Sequence, residues 1–160
     1  MGWHTKNINM AQYIDSYYLV EHRKPILVKQ FLDKYMPNAI ESAEDYPVPL
    51  YNDSPVTVFY NIETLLFYLE REKECEYAVY WQNLNENQRI KHFMVFHTDD
   101  GKMIFGVSVA ASKPDDLLSI TVFNELKVYL NSEIACITAE EPPPANSQEF
   151  VVFSKSRYIP

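Results

Sequence analysis

The segment from residue 90 to residue 110 places the strongest constraint on the fold. Residues 90–97 and 102–110 are rich in β-branched and aromatic residues, a composition typical of β-strands. Thr98, Asp99, Asp100 and Gly101 join the two runs. Asp-Gly is favoured in tight hairpin turns, because glycine adopts a positive φ without steric cost. The sequence therefore predicts an antiparallel hairpin in this region.

Two helices are predicted on either side of this hairpin. Asn61 can cap a helix in which Leu65, Leu66 and Leu69 share one apolar face. The S-x-x-D pattern at residues 112–115 predicts the start of a second helix, which extends to about Leu130. Short runs of β-branched and aromatic residues predict further strands at 56–60, 77–81, 134–138 and 150–153.

The first 55 residues are predicted to be helical and irregular. Apolar side chains recur at Met10, Ile14 and Tyr17, close to the helical period, and predict a helix over residues 10–21. Pro25 is well placed as the first residue of another helix, which Pro37 ends. Further prolines at positions 47, 49 and 55 indicate a loop over residues 38–55.

These elements predict a single α+β domain over residues 1–160. Its core, residues 56–160, is expected to hold a mostly antiparallel sheet of about five to six strands. Two helices are expected to cover one face of that sheet. Residues 1–55 form the helical and irregular segment that precedes the core.

The charge balance favours a basic partner. The chain has 22 acidic and 14 basic side chains, a net charge of −8. Nucleic-acid-binding domains usually have the opposite balance, so direct nucleic-acid binding is not expected. An acidic surface speeds association with basic proteins, although a charge of this size also serves solubility alone.

The residue types needed for several common sites are scarce. With only three glycines, the chain can form neither a phosphate-binding glycine loop nor a G-x-S-x-G nucleophile motif. No catalytic residue and no cofactor is predicted. Cys75 and Cys136 fit no zinc or CxxC pattern. The absence of a signal peptide and of a long apolar run predicts a cytoplasmic protein that does not enter a membrane.

The histidines do not predict a metal site. His92 and His97 lie five residues apart on one predicted strand, so their side chains should project from opposite faces. His97 lies near Asp99 and Asp100, but aspartate is expected in a hairpin turn for conformational reasons alone.

Acidic clusters and aromatic side chains are the predicted partner-binding features. The end of the helix that Asn61 caps is acidic, and so is a proline-rich connector at residues 140–144. Exposed charges of this kind accelerate encounter with a partner of opposite sign. An exposed aromatic side chain near them would supply the hot spot that slows dissociation. The predicted partner-binding residues are Glu70, Glu72, Glu74, Glu76, Tyr77, Trp81, Glu140 and Glu141.

The stretch from Tyr60 to Phe153 resembles small immunity proteins of bacterial toxin systems, including the Imm1-like group. The resemblance rests on the helix with Leu65, Leu66 and Leu69, the strand that ends at Trp81, and the hairpin FMVFHTDDGKMIFGVSV. It implies a protein that binds and blocks a cognate toxin, for example a basic nuclease domain.

Two alternatives remain open beside this interpretation. An α+β domain of this kind can hold a small-ligand or enzymatic pocket, here lined by tyrosines, Trp81 and His97. It can also serve as an adaptor subunit of a larger assembly.

Overall fold

The computed structural model describes residues 12–160. Within this range the chain forms eight strands and four helices. The strands are β1 (Tyr13–Val20), β2 (Ile40–Glu41), β3 (Tyr46–Val48), β4 (Thr57–Phe59), β5 (Tyr77–Gln82), β6 (Ile90–His97), β7 (Met103–Ala110) and β8 (Ala135–Thr138). The helices are α1 (Pro25–Tyr35), α2 (Ile62–Arg71), α3 (Leu117–Tyr129) and α4 (Ser147–Lys155).

The main sheet confirms the predicted α+β class. Its six strands lie in the order β2-β5-β6-β7-β1-β8, and all neighbouring strands are antiparallel. The predicted hairpin is β6 and β7, and Gly101 in its turn has a φ of 93°. A second, two-stranded sheet pairs β3 with β4.

The predicted helix over residues 10–21 is wrong where the structure describes it, because residues 13–20 form β1. This strand lies between β7 and β8 and is buried along almost its whole length. A strand buried on both faces shows no polar and apolar alternation, so its apolar spacing can imitate a helix. The segment expected to precede the core therefore supplies an inner strand of the main sheet.

The predicted strand at residues 150–153 is also wrong, because these residues belong to α4. The side chain of Asn146 caps this helix and accepts hydrogen bonds from the backbone N–H groups of Gln148 and Glu149, at 2.9 and 3.1 Å. A short apolar run is compatible with either a strand or a helix. The cap and the packing of Phe150 against the sheet decide in favour of the helix.

Helices cover both faces of the sheet rather than one. The larger core packs α1, α2 and α3 against one face, with Phe31, Leu69 and Phe123 fully buried. The residues that alternate with that core, among them Tyr17 and Ile104, pack with Phe150 of α4 on the opposite face.

The other predicted helices are confirmed, but one of them begins later in the chain than predicted. Asn61 caps α2, and its Oδ1 accepts hydrogen bonds from the backbone of Glu63 and Thr64. The third helix begins at Leu117, after the predicted S-x-x-D start. Asp116 instead closes the preceding turn, where its Oδ2 accepts from the backbone N–H of Ser112 at 2.8 Å.

The predicted loop over residues 38–55 contains β2 and β3. Pro47 is compatible with β3 because that strand pairs with β4 alone, in a two-stranded sheet. Tyr46 and Val48 point into the larger core. None of the helices within residues 12–160 has the length and the apolar character needed to cross a membrane.

Candidate functional site

A row of polar side chains crosses three neighbouring strands on the sheet face that carries α4. Asp15 in β1 is the register partner of Ser108 in β7, and Ser108 is the register partner of His92 in β6. Side chains of directly paired residues project from the same face of a sheet. We call Asp15, Ser108 and His92 the polar row.

The polar row does not have the order of a nucleophilic triad. Ser108 Oγ lies 2.6 Å from His92 Nδ1, within hydrogen-bonding distance. In a triad the histidine lies between the nucleophile and the acid, whereas here Ser108 lies between His92 and Asp15. Ser108 is also only 2% exposed. The polar row therefore presents no exposed serine with a histidine between it and an acid.

The carboxyl group of Asp15 is the most perturbed group of the row. The hydroxyl of Tyr17 donates a long hydrogen bond of 3.4 Å to Asp15 Oδ2. Burial raises the pKa of Asp15 to about 6, the hydrogen bond from Tyr17 opposes this shift, and the negative charge of Glu140 adds to it. A carboxyl group that is ordinarily ionised therefore titrates close to neutral pH.

The polar row opens into a pocket of about 320 Å³. Tyr13, Tyr80 and Met94 contribute its aromatic and apolar walls, and Glu140 also lines it. The ring of Tyr13 packs edge-on against His92, with ring centroids 5.0 Å apart. We call this concavity the open-face pocket. A mostly apolar pocket with a few converging polar groups is typical of ligand sites.

A second concave surface lies between α1 and α2. It has a volume of about 620 Å³. Ile26 and Phe67 line it with apolar side chains that are 49% and 55% exposed. Glu63 and Glu70 also line it, from α2. We call this surface the helix groove.

One of the predicted acidic residues at the end of α2 lies in this groove. Glu70 lines the groove itself, and Glu72, Glu74 and Glu76 follow it along the chain with exposed side chains. We call these four residues the acidic end of α2. Glu70 thus connects the groove with the acidic end of α2, whereas Glu76 lines a separate concavity with Tyr77 and His97.

The predicted acidic connector lies elsewhere. Glu140 lines the open-face pocket, on the α4 side of the sheet. Glu141 forms an ion pair with Arg157, whose Nε lies 2.7 Å from Glu141 Oε1. Glu70 and Glu140 therefore line different concavities, whereas Glu76 lines a third one together with Pro143 and Pro144 of the connector.

The expectation that Trp81 or Tyr77 is an exposed aromatic side chain is wrong. Both are 3% exposed, because they project from β5 into the larger core. The hydroxyl of Tyr77 donates to the carbonyl of Pro47 at 2.9 Å. Trp81 contributes to the lining of both the helix groove and the open-face pocket. The exposed aromatic rings beside the two concave surfaces are Phe67 and Tyr80.

The two histidines of β6 are on opposite faces, as predicted. His92 lies in the open-face pocket, whereas His97 is 2% exposed on the other face. The aspartates near His97 bind α4 instead: Asp99 Oδ1 accepts from the side chain of Asn146 at 2.9 Å, and Asp100 accepts from the backbone of Ser147 at 3.1 Å. Within residues 12–160, no group of three or more His, Cys, Asp or Glu side chains is arranged to hold a metal ion.

Arg23 is a buried charge with a structural role. It is 3% exposed, and its Nη1 donates to the carbonyls of Leu69 and Glu72 at 2.9 Å each. Its Nη2 donates to the carbonyl of Thr98. One guanidinium thus connects the last turn of α2 with the hairpin turn. Burial lowers the pKa of Arg23 and, together with the charge of Arg23, lowers that of His97 to about 3.

Asp15 and Ser108 were not identified from the sequence. The alternative pocket was expected to contain tyrosines, Trp81 and His97. His97 lines a separate concavity with Tyr51 and Tyr77, whereas the open-face pocket contains His92 and Trp81. One signal pointed to Asp15: it is a polar residue, followed by Ser16, within the otherwise apolar and aromatic run of residues 13–20. A charged residue in a buried strand indicates either a pairing partner or a site.

Comparison of the chain with known proteins finds no match to a family model, to a curated protein or to a solved structure.

Proposed function

We propose that this protein binds and inhibits a basic protein partner, in the manner of a toxin immunity protein. The observation that carries the proposal is the continuity between the helix groove and the acidic end of α2. Ile26 and Phe67 offer exposed apolar surface, and Glu70 belongs both to the groove and to the acidic end. A surface that is apolar at its centre and charged at its margin is typical of a protein-binding site.

The two parts of this surface serve different steps of binding. The exposed carboxylates, with the net charge of −8, accelerate encounter with a basic partner. Burial of Ile26 and Phe67 then slows dissociation, because desolvated apolar anchors carry most of the binding energy. The opposite wall carries Lys24, Lys29 and Asp33, with Lys29 3.6 Å from Asp33. With Glu63 and Glu70 of α2, three acids and two lysines line the groove.

The matching surface on the partner is a basic segment with an apolar ridge. A helix that presents such a ridge fits a groove between two helices. When the basic segment belongs to the substrate site of a toxin, for instance a nuclease, the bound inhibitor blocks access to that site. Inhibition of this kind protects the producing cell and takes place in its cytoplasm.

Co-expression with the product of the neighbouring gene tests the proposal. We expect the pair to co-purify in a one-to-one complex, and we expect the protein to restore growth of cells that the neighbouring product alone inhibits. The interface variant is Phe67→Asp, which places a charge in the groove at an exposed position. This substitution should abolish both effects. A neighbouring product that is not toxic, or protection that survives Phe67→Asp, would contradict the proposal.

A further inference from the structure

The open-face pocket holds two carboxylates without a cation. Asp15 and Glu140 both line it, and within the described residues no lysine or arginine does. The nearest basic side chain along the sequence, Lys91, donates its ammonium to the carbonyl of Glu86 at 2.6 Å. The other basic residue near the connector, Arg157, is paired with Glu141. The pocket therefore carries negative charge that the described chain does not neutralise.

Aromatic rings stand beside these carboxylates in fixed orientations. Tyr13 is held edge-on against His92, and Tyr80 packs edge-on against Phe96 with ring centroids 6.0 Å apart. Tyr80 is 39% exposed, so part of its ring remains free for contact. Aromatic faces attract cations through the negative charge of the ring face. The aromatic walls and the carboxylates of the pocket thus both favour a cationic ligand.

We propose that the open-face pocket binds a guanidinium group, with Asp15 and Glu140 as its counter-charges and Tyr80 as its stacking surface. A guanidinium is planar, stays charged at every physiological pH and forms paired hydrogen bonds with carboxylates. It is also more weakly hydrated than an ammonium and stacks on aromatic rings, which suits a half-buried pocket. The pocket volume of about 320 Å³ accommodates this group.

The polar neighbours of Asp15 set the pH dependence of this binding. Besides Asp15, the titratable groups at the pocket are Tyr13 and Tyr17 of the same strand, His92 of β6, Tyr80 of β5 and Glu140 after β8. Burial raises the pKa of Tyr17 and of Tyr80, so these two stay uncharged below pH 9. Burial and the charge of Lys91 lower the pKa of His92, which leaves it neutral at pH 7.

Asp15 changes charge between pH 5 and pH 8, because its pKa is about 6, and its ionisation creates a counter-charge for the ligand. A proton taken up by His92 at lower pH would add a repulsive charge and so act in the same direction. A cation that binds the ionised carboxylate should bind about tenfold more weakly at pH 5 than at pH 7.5, because most of Asp15 is protonated at the lower pH.

Titration of the full chain with small probes tests the proposal without a protein partner, so its result is separate from that of the co-expression experiment. The probes are methylguanidinium and N-acetyl-arginine N-methylamide, with methylurea as the neutral control of the same shape. Amide chemical shifts report binding.

We expect both guanidinium probes, and not methylurea, to shift resonances around the open-face pocket, with the pH dependence given above. If methylguanidinium saturates the pocket at the same concentration as the arginine amide does, the result indicates that the natural ligand is a free small guanidinium compound. Much tighter binding of the arginine amide indicates an arginine side chain of a protein.

Two variants locate the site. Asp15→Asn should weaken binding at least tenfold, whereas Asp115→Asn, an exposed aspartate outside the pocket, should leave it unchanged. Tyr80→Ala removes the stacking surface and should weaken binding about threefold to tenfold. It serves as the second test if Asp15→Asn does not fold. Equal binding of methylurea, binding that survives both variants, or no response to either guanidinium probe would overturn the proposal.

Discussion

The ring of Tyr17 lies against Gly106, its register partner in β7. A Cβ atom at position 106 would lie 2.8 Å from both Cδ1 and Cε1 of Tyr17 and 3.2 Å from Cε of Met94. The absence of a side chain at position 106 therefore lets the ring approach the sheet. From this position the Tyr17 hydroxyl reaches the carboxylate of Asp15.

Gly106→Ala should destabilise the fold, since the new methyl group can be accommodated only if the Tyr17 ring moves. We expect a loss of about 1–3 kcal/mol in the free energy of unfolding, measured by urea denaturation. In the background of Tyr17→Ala the same substitution should cost much less, because the ring that it meets is gone. Additive effects of the two substitutions would show that the close approach is not the cause.

Asp15→Asn should stabilise the protein at neutral and alkaline pH. The folded pKa of Asp15, about 6, lies above its ordinary value of 3.8, so the folded state holds a proton that the unfolded state releases between these values. Stability therefore falls as pH rises through this range, by up to about 3 kcal/mol. The variant side chain stays neutral at every pH. Relative to wild type, the free energy of unfolding of the variant should therefore be higher by that amount above pH 7 and almost unchanged at pH 4.

Urea denaturation of wild type and variant at several pH values measures this difference. The comparison between the two proteins is needed because His97 acts in the opposite direction: its folded pKa of about 3 makes stability fall as pH drops below 6.5. A variant less stable than wild type at pH 8 would show that the ionised carboxylate is a stabilising group. A gain would instead indicate that the chain retains Asp15 at a cost in stability, as binding sites often require.

Arg23→Ala should destabilise the fold strongly. The substitution leaves the carbonyls of Leu69, Glu72 and Thr98 without their donor at a largely buried position. We expect a loss of about 3 kcal/mol or more in urea denaturation. Arg71→Ala, at an exposed position near the same end of α2, is the matched control and should change stability by less than about 0.5 kcal/mol. Equal effects of the two substitutions would contradict the bridging role of Arg23.

Reversal of Glu70, Glu72 and Glu74 to Lys should slow association with a verified basic partner at least about tenfold at low salt and flatten its salt dependence, with the fold intact. Stopped-flow mixing measures both quantities. The matched control reverses Asp53, Asp115 and Glu133, which are exposed and produce the same change in net charge. If both triple variants slow association equally, the net charge of the protein sets the association rate, and the acidic end of α2 is not a docking site.

The strands predicted at residues 56–60, 77–81 and 134–138 are confirmed as β4, β5 and β8, and several other correct elements have a strong local signal. Asp-Gly in the hairpin turn, Asn61 before α2 and Pro25 at the start of α1 act on their own neighbours in the chain. The conformational preference of such a residue is present before the rest of the molecule has folded. The hairpin of β6 and β7, and the helices α1 and α2, could therefore be derived from the sequence.

The elements that failed lack a local signal of this strength. Residues 13–20 are buried on both faces, which removes the alternation that identifies a strand. Residues 150–153 form one short apolar run, and only their packing on Leu19 and Cys136 shows which face of the sheet they cover. The burial of Trp81 and Tyr77 likewise follows from the direction in which β5 projects them, and this depends on register.

The sequence by itself determined the α+β class, the central hairpin, the acidic end of α2 and its exposure. The tertiary structure alone decided the composition of the open-face pocket. His92 and Ser108 face each other within the hairpin, but Asp15 is far from both in the chain and joins them only when β1 enters the sheet beside β7. The raised pKa of Asp15 follows from that placement, because burial and the charge of Glu140 act through space and leave no pattern in the sequence.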